Sequence, residues 1–111
     1  MKLSLVGVSH HQAPVELRER VAVDPAGAAG LAEQLAGPCE AVVLSTCNRT
    51  ELYLASDDLS DLDARASAAL LELAGDGAAE LGKVVYRLED ESAALHLFRV
   101  AAGLDSLVPG E

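Results

Sequence analysis

Aromatic residues are nearly missing. The 111-residue chain has one phenylalanine (Phe98), two tyrosines (Tyr53, Tyr86) and no tryptophan, so Leu, Val and Ala must fill its core. Basic residues are few as well: eight Lys and Arg stand against eighteen Asp and Glu, for a net charge of −10. Those eight (Lys2, Arg18, Arg20, Arg49, Arg65, Lys83, Arg87, Arg99) are scattered singly. Neutralising phosphates needs clustered cations, so a stand-alone nucleic-acid binder is excluded. The two cysteines, Cys39 and Cys47, lie on opposite sides of a predicted strand without CxxC spacing. They are too few for a zinc cage, and a disulfide between them is not expected. No apolar run approaches the ~20 residues that span a bilayer, and Met1 leads into a strand rather than a signal peptide. The chain reads as cytoplasmic and reduced. It fits one domain, 1–111, with a core of its own.

What is present is a regular alternation of strand and helix signals. Lys2–Val8 alternates as a strand and ends at Ser9. The polar turn His10-His11-Gln12-Ala13-Pro14 follows, with Pro14 placed to open a short helix over Val15–Arg20. Asp24-Pro25 is an N-cap and N1 pair for an Ala- and Leu-rich helix that stops at Gly37-Pro38. Cys39–Leu44 and Glu51–Ala55 read as two further strands. A helix from Ser60 or Asp61 to about Ala74 carries Leu62, Ala66, Ala69, Leu70 and Leu73 at helical spacing and ends at Gly75-Asp76-Gly77. Val84–Leu88 is the last strand, and Asp90 is placed to cap a helix over Glu91–Ala102, closed by Gly103. The order predicts an α+β two-layer sandwich of ferredoxin-like type: a mostly antiparallel four-stranded sheet with helices packed on one face.

The most informative stretch is Ser45-Thr46-Cys47-Asn48-Arg49-Thr50-Glu51, a polar knot between two strands with a thiol at the bend. Two paired strands hold such a bend rigidly while its tip stays open, which suits a nucleophile. A lone cysteine is also a common small buried residue, and Asn48 alone is an ordinary turn former. On the last helix His96 sits at the edge of the apolar stripe made by Leu95, Phe98 and Ala102. A histidine there serves packing or capping, or, beside a thiol, acid–base chemistry. The pair His10-His11 does not suggest a metal site, because neighbouring side chains point apart and no third ligand is evident.

Three strings together resemble the signatures of the glutamyl-tRNA reductase family: Ser9–Glu19, Ser45–Glu51, and His96–Ser106 running into Gly110-Glu111. The resemblance runs from end to end and is to the family's N-terminal catalytic domain. It implies an oxidoreductase that reduces glutamyl-tRNA(Glu) to glutamate-1-semialdehyde with NADPH through a cysteine thioester, the first step of five-carbon tetrapyrrole synthesis. By matching position Cys47 is the nucleophile and His96 the active-site histidine. Arg49 receives the substrate's side-chain carboxylate, a task suited to a planar fork. Thr46, Asn48, Ser106 and Glu111 line the substrate.

The resemblance also implies parts that these residues do not form. The family enzyme continues into a nucleotide-binding and a helical dimerisation domain and works as a homodimer. The 111 residues read as a piece of something longer, with no GxGxxG fingerprint for NADPH. Reductase activity is not expected of this piece alone. Pro109 also departs from the aliphatic residue common in relatives. An alternative of another class is a haem-binding feedback module, in which Cys47, His96, His10 or His11 ligates the iron.

Overall fold

The computed structural model describes residues 1–103. Leu3 and Leu5 alternate with Val6 and Val8 to form the central strand, β1 (Lys2–Ser9). β1 pairs antiparallel with β3 (Arg49–Ser56) on one side and with β4 (Tyr86–Glu89) on the other. β2 (Glu40–Ser45) pairs antiparallel with β3, so the sheet order is β2-β3-β1-β4. Two strand–helix–strand units split around a central pair give the ferredoxin-like arrangement, as the sequence predicts.

Successive strand side chains point to opposite faces, and the two faces of this sheet differ. On one, Val6, Val8, Leu52 and Leu54 form the main core with Val21, Leu62, Ala66, Leu70 and Leu81. These last come from α1 (Val15–Val21), α3 (Leu62–Ala74) and α4 (Ala78–Gly82), while α2 (Pro25–Leu35) adds the half-buried Leu31 and Leu35. On the other face Leu5 and Tyr53 pack with Ala93 of α5 (Asp90–Ala101), flanked by Leu3, Tyr86 and Leu88. The expected helical layer is thus α1–α4, and α5 is an addition on the opposite side. Leu3 and Leu5 leave apolar surface there that one helix covers, and the small Ala93 lets it approach closely.

Local chemistry accounts for most boundaries. Asp24 Oδ1 accepts the Gly27 N–H at 2.7 Å with Pro25 opening α2, a cap of the kind worth about 1 kcal/mol. α3 ends at Gly75, whose φ of +55° favours glycine. Three details differ from the sequence expectation. The stripe Leu95, Phe98 and Ala102 is exposed, and α5 buries Ala93 and Val100 instead. A short 3₁₀ turn over Gly75–Gly77 leads into α4, which the glycine-rich sequence conceals. Asp90 does not cap α5: its Oδ1 accepts the Leu3 N–H at 2.9 Å, and Glu89 occupies the N-cap without a side-chain bond. The carboxylate ties the start of α5 to β1 instead. No helix among the described residues is long and apolar enough to cross a membrane.

Candidate active site

The β2–β3 connection holds Cys47 at its tip, exposed, while its neighbours are pinned. Ser45 and Thr50 face each other in register, with their hydroxyl oxygens 2.9 Å apart. The Thr46 N–H donates to the Arg49 carbonyl at 2.8 Å, and the Asn48 N–H to Thr46 Oγ1 at 3.2 Å. The loop after β1 adds a further clamp, as the His10 N–H donates to the Asn48 carbonyl at 2.8 Å. From α1, Arg18 Nη1 donates to the Cys47 carbonyl at 3.3 Å and to Asn48 Oδ1 at 3.4 Å. Asn48 is buried and serves the turn through backbone and side chain alike. Arg18, unremarked in the sequence, brings a guanidinium to the cysteine turn.

Beneath the turn, β3 sends Arg49, Glu51 and Tyr53 to the α5 face by strand alternation. The side chains of Arg49 and Glu51 have no exposure, and Arg49 Nη1 lies 3.6 Å from Glu51 Oε2. Glu51 Oε1 accepts from the Tyr53 hydroxyl at 2.8 Å. Its Oε2 accepts from the Tyr86 hydroxyl and lies 2.6 Å from His96 Nε2. A buried carboxylate is costly unless paired and hydrogen-bonded, and here Arg49, Tyr53, Tyr86 and His96 surround it. Burial first, then the Glu51 charge and hydrogen bond, push the Tyr86 hydroxyl far above its ordinary value, so it remains a donor.

Gly7 makes this meeting possible. On the central strand it pairs with Glu51 on one side and Tyr86 on the other. A Cβ there would lie 2.8 Å from Glu51 Cγ, closer than real side chains come. Without it, Glu51 and Tyr86 join hands across β1. The His96 ring, 5.6 Å from the Tyr86 ring by centroid, lines a cleft of about 220 Å³ with Ser9, His11, Gln12, Tyr86 and Leu88.

The structure therefore brings together His96, Arg49 and Glu51, and sets Thr46, Cys47 and Asn48 at the adjoining turn. His96 reaches Glu51; among the described residues no hydrogen bond joins it to Cys47. Ser106 and Glu111 lie outside the described residues. His10 and His11 stack with centroids 4.0 Å apart. The sequence reading missed Glu51, Tyr53 and Tyr86 as partners of His96. The signal was the two-residue period Arg49-x-Glu51-x-Tyr53, three residues with polar ends on one face of a strand whose other face carries Leu52 and Leu54.

The antiparallel sheet offers no glycine-rich turn from a parallel strand into a helix, so the described residues do not make a dinucleotide site. For haem, the cleft between His11 and His96 falls below the ~300 Å³ at which drug-sized sites begin, and His96 Nε2 is taken by Glu51. The described residues do not fit haem there. They also contain no group of three or more His, Cys, Asp and Glu placed to hold a metal ion.

Comparisons with known proteins agree on one family. The family model for the glutamyl-tRNAGlu reductase N-terminal domain matches residues 6–111. Glutamyl-tRNA reductase of Marinobacter nauticus is 49% identical over 117 residues, covering 100% of this chain and 26% of that protein. The same enzyme of Solibacter usitatus is 45% identical over 115 residues, covering 100% and 27%. A solved structure, glutamyl-tRNA reductase from Methanopyrus kandleri, aligns over 98% of this chain and 24% of its own, with 30% identity and a TM-score of 0.60. The chain spans about a quarter of the length of the curated relatives it matches. With its motifs, its fold and almost every residue matched in this way, the chain belongs to the glutamyl-tRNA reductase N-terminal domain family.

Proposed function

We propose that this chain is the acyl-accepting part of an enzyme that reduces glutamyl-tRNA(Glu) to glutamate-1-semialdehyde with NADPH, at the head of tetrapyrrole synthesis. The observation that carries the reading is Cys47: an exposed thiol on a turn pinned from β1, α1 and β3, whose strand carries the buried Arg49–Glu51 pair with half-buried His96 against it. Attack of the Cys47 sulfur on the glutamyl ester forms an S–C bond and breaks the bond from the carbonyl carbon to the ribose oxygen of tRNA. The thiol proton ends on that ribose oxygen. His96 is the acid–base group in this account, and covalent capture divides one hard reduction into two easier steps.

Arg49 is the group for the substrate's side-chain carboxylate. The assignment rests on the resemblance and on the planar fork of a guanidinium, which suits a carboxylate; Arg49 also pairs with Glu51, 3.6 Å away. Thr46 and Asn48 shape the turn around the thiol, and Ser106 and Glu111 join the substrate contacts by the resemblance. NADPH and the dimer contact belong to parts of the full-length enzyme beyond these residues, and the tRNA is its substrate. The haem alternative gains no support from this geometry.

The test is transfer of labelled glutamate from glutamyl-tRNA(Glu) to the protein. Label that survives denaturing separation from tRNA with the wild type, and is lost with Cys47→Ser, supports the reading. Equal labelling of both, or none of either, contradicts it.

A further inference from the structure

We infer that Glu51 is the positioning residue for His96: it holds the proton on Nε2 and so makes Nδ1 the ring atom that gains and loses a proton. The inference deepens the acyl-transfer reading and rests on it for the use of His96, though not for the geometry.

Glu51 Oε2 lies 2.6 Å from His96 Nε2, and the Glu51 side chain has no exposure. An ionised carboxylate only accepts hydrogen bonds. The two tyrosine hydroxyls donate to it, and the Arg49 guanidinium, which carries its charge at any pH a protein meets, lies beside it. The imidazole must therefore donate as well. Nε2 keeps its hydrogen in both the neutral and the charged ring, and only Nδ1 changes state. Among the described residues no hydrogen bond is made to Nδ1, and the ring lines the cleft with Ser9, His11 and Gln12. A proton exchanged with a substrate in that cleft would pass through Nδ1.

The surroundings hold Glu51 in place for this task. Gly7 leaves the space in which its side chain crosses β1, and Tyr53 and Tyr86 fix the carboxylate from two sides. A carboxylate that orients a histidine and sets its tautomer, without touching the substrate, is a recurrent device in acid–base catalysis.

The test is two-bond ¹⁵N–¹H spectroscopy of the 111-residue protein labelled in histidine, with the His96 signals identified by their loss in His96→Gln. The neutral wild-type ring is expected as the Nε2–H tautomer alone. In Glu51→Gln the carboxamide both donates and accepts, so a mixture of tautomers appears. In Tyr86→Phe, where Glu51 remains, the single tautomer persists. Acyl transfer to Cys47 falls about tenfold or more in Glu51→Gln, part of the ~10²–10⁴ that acid–base catalysis supplies. An Nδ1–H tautomer or a mixture in the wild type overturns the inference, and so does an unchanged single tautomer in Glu51→Gln. If Glu51→Gln does not fold, the wild-type spectrum alone decides. A wild type with the Nε2–H tautomer that takes up no glutamate overturns the proposed function and leaves the positioning intact.

Discussion

Gly7 and Glu51 face each other across the β1–β3 ladder, and a Cβ on Gly7 would lie 2.8 Å from Glu51 Cγ and 2.9 Å from the Thr50 carbonyl oxygen. The second contact is with backbone and cannot yield by a rotamer change. Gly7→Ala is therefore expected to lose about 1–3 kcal/mol of stability, the usual cost of overpacking. Urea denaturation checks this, and an unchanged midpoint would mean that the strands part without cost.

Arg49 and Glu51 form an ion pair with neither side chain exposed. Removing one partner takes the opposite charge away from a buried ion, which costs up to about 3–5 kcal/mol. Arg49→Met and Glu51→Gln should each approach that loss, while the double variant should lose clearly less than their sum. Denaturation of the four proteins measures the coupling. Additive losses would mean that the two groups do not depend on one another.

Tyr86 gives a pH dependence of definite sign. The folded state holds its phenolic proton well above the ordinary value of 10.0, which the unfolded chain keeps. Below about pH 10 both states are protonated and the stabilisation is complete. As the pH rises past that point the unfolded chain releases the proton and the folded protein does not. Stability then falls by about 1.4 kcal/mol per pH unit from this group. Comparing urea midpoints at about pH 8 and about pH 11 should show a smaller decline in Tyr86→Phe than in the wild type.

The two thiols should separate by reactivity. Cys47 is exposed, whereas Cys39 is buried and donates to the Leu35 carbonyl at 3.2 Å. Under native conditions iodoacetamide is expected to modify Cys47 and spare Cys39 until the protein unfolds. Mass mapping reads the outcome, and native Cys47→Ser should remain unmodified.

Much of this molecule could be read from its residues, for reasons that are local. Strand alternation in Lys2–Val8, the Asp24-Pro25 cap and the glycine stop at Gly75 each act within a few residues, and the sheet followed from them. The side of the sheet that α5 covers was not legible, because helical periodicity shows that a helix has an apolar face but not which surface receives it. Asp90 looked like a cap and instead binds β1, a contact with Leu3 across 87 positions. At the site, Cys47 and Arg49 stood out within one short string. Glu51 did not, being one of eighteen acidic residues. Its meaning comes from Tyr86 and His96, 35 and 45 positions away.

Mass spectrometry of the peptides, after the 111-residue protein has been mixed with glutamyl-tRNA(Glu), tests the central claim most directly. The account predicts a glutamyl group on the peptide containing Cys47, removed by neutral hydroxylamine as a thioester is, and absent in Cys47→Ser. No adduct while Cys47 still takes iodoacetamide, or an adduct on another side chain, would contradict it.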